Sequence, residues 1–255
     1  MEVSIILDGR PPPPADPVVS EPVAPSVVNG VETLVREEDL HLYPGNSLKP
    51  ILTPNERYID RFAKVPSSIY STLMDYQMPQ VKAVFLSILG SANYIVDATA
   101  HIGGDAIHLS QIYPMSRILA IDIDPNAITC LLTNVKALAD SSRFDIVLAD
   151  SVKYISDNNP KADLYYFDPP WGGPSYMNQR KVYLYLGDVR IVDVVNYVLE
   201  NGLTNHVVVK VPRNFAYSEF KEHLRGVCEM HLIRKLQKRG SVAYGLVHAT
   251  RSPTK

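Results

Sequence analysis

The residues at 168–171, Asp-Pro-Pro-Trp, combine a carboxylate, two prolines and the only tryptophan of the chain. They follow the apolar residues 164–167, a run typical of a buried strand that ends at a sheet edge. Proline lacks a backbone N–H, so carbonyls of this turn can accept from a planar amino group, with Asp168 and the Pro169 carbonyl as candidates. Trp171 offers a flat face for stacking a nucleobase. The segment predicts chemistry on the exocyclic amine of a base; the alternative is a proline-rich turn with a core tryptophan.

Three further acidic residues follow apolar runs, at Asp97, Asp122 and Asp150. Ligands of open α/β sheets bind beyond the carboxyl ends of the strands, so these carboxylates are candidate ligand contacts. Asp97 suits the cationic amine of a methionine moiety, and Asp122 suits the two hydroxyls of a ribose. Asp150 and the adjacent Ser151 suit the amino group of an adenine. Together they predict S-adenosylmethionine as cofactor, although each acid alone is also interpretable as a strand-end cap exposed to water.

The loop after Asp97 contains Thr99, Gly103 and Gly104 and leads into a predicted helix. Glycine permits a tight turn and a close approach of a ligand to the backbone, so Thr99 and Gly103 join the predicted cofactor contacts. Asp168, besides its predicted role in catalysis, is also a predicted cofactor contact. A dehydrogenase would require G-x-G-x-x-G with phosphate-binding amides, a pattern that this loop lacks.

The elements that must position these residues alternate between strand and helix. The apolar strands have no polar alternation, which indicates burial on both faces and a mostly parallel sheet. Strands are predicted at 94–98, 117–122, 144–149, 163–167 and 206–211, helices at 104–113, 125–139, 188–200 and 216–225 with a short one at 151–156, and a closing antiparallel hairpin at 230–237 and 241–249 with a turn at Arg239–Gly240.

The chain has 255 residues and 46% hydrophobic residues, enough for one domain with extensions. Residues 1–30 contain seven prolines and are predicted to be a disordered tail that is a candidate ligand for a protein partner. Residues 31–92 are predicted to be an arm and helical lobe, with Val81, Val84 and Phe85 on a helix that packs against the domain at 93–255.

Two cysteines far apart argue against a disulfide framework, and no membrane span or metal site is predicted.

Charge is distributed unevenly along the chain. Residues 201–255 hold ten basic and three acidic side chains, although the whole chain has a net charge of −2. A basic segment is compatible with a polyanionic substrate, and equally with a solvated surface.

The turn at 168–171 resembles motif IV of methyltransferases that act on exocyclic amines of bases. Over roughly residues 93–250 the chain resembles the trimethylguanosine synthase family, which methylates N2 of the 7-methylguanosine RNA cap. The most specific segments are Asp97-Ala98, Gly103-Gly104, the run at 120–125, the run at 169–174 and the P-R-N at 212–214. The resemblance implies an α/β Rossmann-like class I methyltransferase with a mostly parallel seven-stranded sheet, a closing hairpin and a small helical N-terminal lobe.

The resemblance also implies roles for individual residues. Trp171 falls where the family stacks the methylated guanine, and Arg213 falls where a basic side chain can meet cap phosphates. Asn214, in the same P-R-N segment, is a further predicted substrate contact. Ser67 lies in a segment that loosely matches the lobe closing the cap pocket. The implied partner is capped RNA, bound by a monomer in the nucleus for a cellular protein or in host cytoplasm for a viral one.

Two departures keep alternatives open. His101 stands where the family has a glycine, and Asp168 stands where it often has serine. Asp168 is typical of enzymes that methylate N6 of adenine, so adenine methylation of DNA or RNA is an alternative, and a catalytically silent cap-binding module is another.

His101, His206 and His231 are interpreted as structural or surface residues. Tyr176, Tyr183 and Tyr185 are candidates either for the wall of a substrate pocket or for the core.

Overall fold

A computed structural model describes residues 77–235 and 241–252, together with the backbone of strands β1 (Ser26–Val28) and β2 (Val31–Thr33). These two strands pair antiparallel, and β1 begins inside the segment predicted to be a tail. Most of the predicted tail and arm, including Ser67, lies outside the described residues, as does the predicted turn at Arg239–Gly240.

Strands and helices alternate through the described domain, as the sequence predicts. In chain order they are α1 (Met78–Ile88), β3 (Tyr94–Asp97), α2 (Gly104–Ile112), β4 (Arg117–Asp122), α3 (Pro125–Leu138), β5 (Phe144–Leu148), α4 (Ser151–Asn158), β6 (Leu164–Phe167), β7 (Tyr185–Leu186), β8 (Val189–Arg190), α5 (Ile191–Glu200), β9 (Val207–Pro212), α6 (Tyr217–His223), β10 (Gly226–Arg234) and β11 (Val242–Arg251).

The main sheet has seven strands in the order β10-β11-β9-β6-β3-β4-β5. The five strands from β9 to β5 run parallel, and β11 is antiparallel to both of its neighbours. This confirms the predicted fold class with its closing hairpin. Because parallel strands end at one edge, the residues that end β3, β4 and β6 share that edge.

Helices cover both faces of this sheet. Ile95 and Ile118 point into a core shared with α1, α2 and α3, whereas the next residues, Val96 and Leu119, point into a core shared with α4, α5 and α6. All four side chains are at most 3% exposed. The unbroken apolar runs of the parallel strands therefore reflect burial on both faces.

Helix α1 packs against the domain, as predicted from its apolar spacing. Val81 and Phe85 are buried in the first core. The single Tyr113 hydroxyl proton is shared between the Phe85 carbonyl, at 2.7 Å, and the Leu89 carbonyl, at 3.0 Å, near the end of the helix. These bonds fix α1 beside α2.

Two elements begin three or more residues away from their predicted starts. The helix predicted at 188–200 begins at Ile191, because β7 and β8 form a tight hairpin whose turn contains Gly187 at φ 55°. A positive φ is accessible to glycine without steric cost. Strand β10 begins at Gly226, four residues before its predicted start, since it pairs with β11 along its whole length.

Cys130 is buried and Cys228 is half-buried, and neither forms a disulfide. Among the described helices, none combines the length and apolarity needed to cross a bilayer.

Candidate active site

Asp97 ends β3 and is 1% exposed. Its Oδ1 accepts from the Thr99 backbone N–H at 3.2 Å, while its buried Oδ2 has no hydrogen-bond partner among the described residues. Burial raises the pKa of Asp97 well above its usual range, and the nearby Asp105 carboxylate adds to that effect. A buried carboxylate with an unused oxygen fits the cationic amine of S-adenosylmethionine, which would supply the missing counter-charge.

The loop after β3 bends back toward the end of β4. His101 adopts a left-handed conformation at φ 47°, and its backbone N–H donates to Asp122 Oδ2 at 2.7 Å. Few non-glycine residues adopt this conformation, which glycine adopts easily. His101 therefore allows the same tight turn as a glycine would, but with backbone strain. Burial lowers the pKa of its imidazole, which favours the neutral form.

Position 103 requires glycine for two reasons, its backbone conformation and the close packing of its neighbours. It has φ 91°, and a Cβ on this residue would lie 2.3 Å from Leu131 Cδ1. A side chain would therefore displace the start of α2 or a core residue of α3. The predicted role of Gly103 beside a cofactor is compatible with this packing and stays a prediction.

Asp122 is held by the backbone at the end of β4. Besides the bond from His101, its Oδ1 accepts from the Asp124 backbone N–H at 2.9 Å. Two amides thus orient one carboxylate at the sheet edge, while each oxygen keeps acceptor capacity for a ribose hydroxyl.

Asp150 has a structural role in the described chain. It caps α4, accepting from the backbone N–H groups of Val152 at 2.8 Å and Lys153 at 3.1 Å, and it is exposed. Both bonds use Oδ1, so the predicted contact with adenine is compatible with the cap. The Ser151 hydroxyl donates to the Ala98 carbonyl and ties α4 to the end of β3.

A buried charge cluster lies behind the turn at 168–171. Lys210 Nζ donates to Asp168 Oδ2 at 2.8 Å and to Asp105 Oδ2 at 3.0 Å. The Lys210 side chain is 5% exposed and both carboxylate side chains are 11% exposed. The Tyr166 hydroxyl also donates to Asp105 Oδ2, at 2.8 Å. One cation therefore faces two carboxylates in a largely dehydrated space.

This cluster fixes Asp168 in position and sets its charge. The backbone N–H of Asp168 donates to Thr99 Oγ1 at 2.6 Å, which joins the turn after β6 to the loop after β3. Burial raises the pKa of Asp168 to about 6, although Lys210 opposes that shift. The pKa of Lys210 is raised by the two carboxylates despite its burial, so this residue stays charged.

Sequence reasoning missed Lys210, Asp105 and Tyr166. One signal was present, because Lys210 is the only charged residue of the apolar strand Val207–Pro212, and a buried lysine requires an anionic partner. The partners lie 105 and 42 residues away along the chain, so the pattern does not reveal them.

Trp171 is half-buried beside this cluster and contacts both cores. Tyr176 packs edge-on against it, with ring centroids 5.3 Å apart and planes at 84°. The indole N–H is buried without a well-aligned acceptor among the described residues, yet it lies close enough to Asp168 to lower its pKa slightly. Trp171 thus has packing contacts and also retains exposed surface at the sheet edge.

Asn214 of the P-R-N segment stabilises the segment that follows Trp171. Asn214 Nδ2 donates to the carbonyls of Tyr176 and Gln179, each at 2.8 Å, and so holds the 3-10 helix Gly173–Asn178 against the end of β9. Its buried Oδ1 has no hydrogen-bond partner in the described chain, whereas Arg213 is exposed. Their predicted contacts with substrate stay predictions. Tyr183 and Tyr185 are exposed, away from the core.

A cleft joins the predicted cofactor loop to the charge cluster. Its lining consists of Thr99, Ala100, His101, Ile102, Gly104, Asp105 and Asp168. The structure therefore brings Thr99 and Asp168 together, with Asp97 and Asp122 at neighbouring strand ends and Asp150 more exposed.

The sheet order and the site at its carboxyl edge define a Rossmann-like methyltransferase fold. A family model described as RNA cap guanine-N2 methyltransferase matches residues 92–248, more than half of the chain. The chain belongs to this family. The family depends on S-adenosylmethionine, which confirms the predicted cofactor.

Two curated relatives are distant. The chain is 26% identical over 132 residues to an uncharacterized protein of Acanthamoeba polyphaga mimivirus, covering 51% of this chain and 50% of the relative. It is 27% identical over 117 residues to trimethylguanosine synthase of Schizosaccharomyces pombe, covering 44% and 42%. The chain thus spans half or less of the curated relatives it matches.

A solved structure of a candidate S-adenosylmethionine-dependent methyltransferase from Streptococcus mutans is similar in fold. Its TM-score is 0.50 at 13% identity, covering 68% of this chain and 48% of that one. At this identity the similarity concerns the fold alone.

Proposed function

We propose that this protein transfers a methyl group from S-adenosylmethionine to the exocyclic N2 of a 7-methylguanosine RNA cap. The proposal rests on the turn at the end of β6, where Asp168 lines a cleft shared with the loop after β3 and Trp171 follows three residues later. Asp97, with its unpaired Oδ2, ends the neighbouring strand β3. The family match supports guanine N2 as the methylated atom.

Asp97 and Asp122 are the residues proposed to hold the cofactor. Asp97 would pair with its ammonium group, and Asp122, oriented by two backbone amides, would accept from its ribose. The bound cofactor supplies an electrophilic methyl group on a sulfonium. The loop at 99–103 separates these two contacts and keeps them at a fixed spacing through its bonds to both strand ends.

Trp171 is proposed to position the base. Its ring is braced by Tyr176 and by the turn that Asn214 anchors, so little side-chain entropy is lost when a base stacks on it. A 7-methylguanine is positively charged, which adds cation–π attraction to stacking. The prior methylation of the cap is then a recognition element.

Asp168 and the Pro169 carbonyl are proposed to accept from the amine that receives the methyl group. The guanine amine is a weak nucleophile because its lone pair is delocalised into the ring, so orientation of this group is the main contribution of the protein. Lys210 and Thr99 fix the Asp168 carboxylate and backbone, which preorganises the acceptor. With a pKa of about 6, Asp168 is ionised at neutral pH.

A second candidate is N6 methylation of adenine in DNA or RNA, which the aspartate at position 168 favours. A substrate competition separates the two. Labelled S-adenosylmethionine is incubated with an RNA bearing a 7-methylguanosine cap, the same RNA with an unmethylated cap, and an uncapped adenine-rich RNA and DNA.

We expect transfer to the 7-methylated cap to exceed transfer to the other substrates, and Trp171→Ala to reduce that preference while retaining cofactor affinity. Phe at position 171 should retain part of the activity. Preferred labelling of the uncapped RNA or DNA would establish the adenine alternative, and cap binding without transfer would establish the silent module. Tyr197→Ala serves as the matched aromatic control, because half-buried Tyr197 lies on α5 and bonds Asn159, before β6 begins.

A further inference from the structure

A histidine-rich cluster lies on the closing hairpin, on β10 and β11. Glu229 and His248 are directly opposite each other across these strands, and His231 is two residues further along β10. Because side chains alternate along a strand, all three project from the same face of the sheet. Their ligand atoms all lie within 4.8 Å of one another.

We propose that Glu229, His231 and His248 form a binding site for a divalent transition metal, with Zn²⁺ as the metal that best fits the ligands. The site is separate from the proposed methyl-transfer site and does not depend on the proposed function. His248 pairs with Val208 near the beginning of β9, whereas the charge cluster and the turn at 168–171 lie nearer the carboxyl ends of the parallel strands.

The two separations from the Glu229 carboxylate to the histidine nitrogens match those of a tetrahedral site. Glu229 Oε1 lies 3.2 Å from His231 Nε2 and 3.4 Å from His248 Nδ1. Zinc–ligand bonds of about 2.0–2.1 Å in a tetrahedron place neighbouring ligand atoms about 3.3–3.4 Å apart. Two imidazoles and a carboxylate are also a donor set that zinc uses when a water molecule completes its coordination.

The orientation of His231 is a second, independent observation. Its Nε2 is buried and has no well-aligned hydrogen-bond partner in the described part of the chain, although the carboxylate of Glu229 is only 3.2 Å away. A simple ion pair would be expected to align the N–H with the carboxylate. Two ligands of one metal approach each other in this way without sharing a proton, which is the arrangement proposed here.

His206 completes the arrangement from the segment that precedes β9. Its Nδ1 lies 3.0 Å from His248 Nε2, and the two ring planes are 13° apart, so the rings meet edge to edge. If His248 binds metal through Nδ1, its Nε2–H donates to His206, the usual support of a metal-bound histidine. Glu229 is 64% exposed, which gives metal an entry path from solvent.

A metal here would join β10 to β11 and, through His206, to the segment entering β9. We expect a stabilising role, because binding to the folded state alone raises the free energy of unfolding. The probes are Zn²⁺, followed by calorimetry, and Co²⁺, whose visible absorption reports tetrahedral coordination. The full chain is used without a histidine tag and after removal of metal by a chelator.

Wild-type protein should bind one Zn²⁺, and with Co²⁺ it should show the visible absorption bands of tetrahedral coordination. Its melting temperature should rise when Zn²⁺ is added. His231→Ala and Glu229→Gln should abolish all three responses, and His206→Asn should weaken affinity about 10–100-fold. His223→Ala is the matched control, because His223 is an exposed histidine on α6, outside the proposed site. This variant should bind Zn²⁺ as tightly as wild type. The proposal is overturned if wild type binds no Zn²⁺, or if His231→Ala and Glu229→Gln bind as tightly as wild type. Because Glu229 is exposed, Glu229→Gln should fold normally. Its Zn²⁺ affinity can therefore be compared with that of wild type even if His231→Ala fails to fold.

Discussion

The replacement of Lys210 by methionine is expected to destabilise the protein strongly. The change keeps most of the side-chain volume and removes the one cation between Asp105 and Asp168. Two carboxylates then remain at a site where the side chains are nearly inaccessible to water. Their repulsion and incomplete hydration, rather than an empty cavity, are the expected cause of the loss.

The size of the effect follows from burial. Removing one partner of a buried ion pair typically costs about 3–5 kcal/mol, because the remaining charge has no counter-charge or water. In a protein of 150–250 residues, 1 kcal/mol corresponds to about 2–4 °C of melting temperature, so Tm should fall by roughly 6–20 °C.

Thermal unfolding by circular dichroism measures this change, and pH identifies its cause. Without Lys210 the pKa of Asp168 should rise above its present value of about 6, so protonation as the pH falls removes the uncompensated charge. The gap in Tm between wild type and variant should therefore narrow from pH 8 to pH 5.5. Adding Asp105→Asn to the variant should restore part of the stability, since one of the two like charges is removed.

Lys153→Met is the matched control, because Lys153 pairs with Asp157 on an exposed face and is 76% exposed. It should leave Tm close to that of wild type. A loss in Lys210→Met that is independent of pH and not relieved by Asp105→Asn would refute the electrostatic explanation and point to lost packing.

Three other predictions concern ligand binding and catalysis. Asp122→Ala should abolish S-adenosylmethionine binding measured by calorimetry, because the oriented carboxylate for the ribose is lost; near-normal affinity would contradict the placement of the cofactor. The rate of methyl transfer should fall as the pH drops through about 6, where Asp168 gains a proton, and a flat profile over pH 5–8 would contradict its role as acceptor. Asn214→Ala should raise the KM for RNA with little change in cofactor affinity, because the turn carrying Tyr176 loses two hydrogen bonds; an unchanged KM would show that the turn is held by other contacts.

Much of the fold could be predicted because the strands are apolar on both faces. Strands β3, β4, β5 and β6 lie within the predicted ranges, and the acids that follow these apolar runs lie at one edge of the sheet. The hairpin β7–β8 was missed because its strands have two residues each, too few for alternation to be recognised.

The positions of candidate site residues could be predicted where one residue type stands out by itself, but not where a contact joins residues distant in sequence. Asp97 and Trp171 stand out by residue type and position. The pairing of Lys210 with Asp168, the bonds from Asn214 to the turn and the meeting of His206 with His248 depend on how strands are ordered in the sheet. Asp150 shows a further limit, because the same residue type is favoured at a ligand contact and at a helix cap.

Guanine N2 of a methylated cap is the proposed accepting atom. The most direct measurement is mass spectrometry of nucleosides released from 7-methylguanosine-capped RNA after incubation with the protein and isotopically labelled S-adenosylmethionine. Wild-type protein should place label in N2-methylated 7-methylguanosine, and Trp171→Ala should strongly reduce that label. Label in N6-methyladenosine, or in no nucleoside while the protein still binds both cofactor and cap, would contradict the proposal.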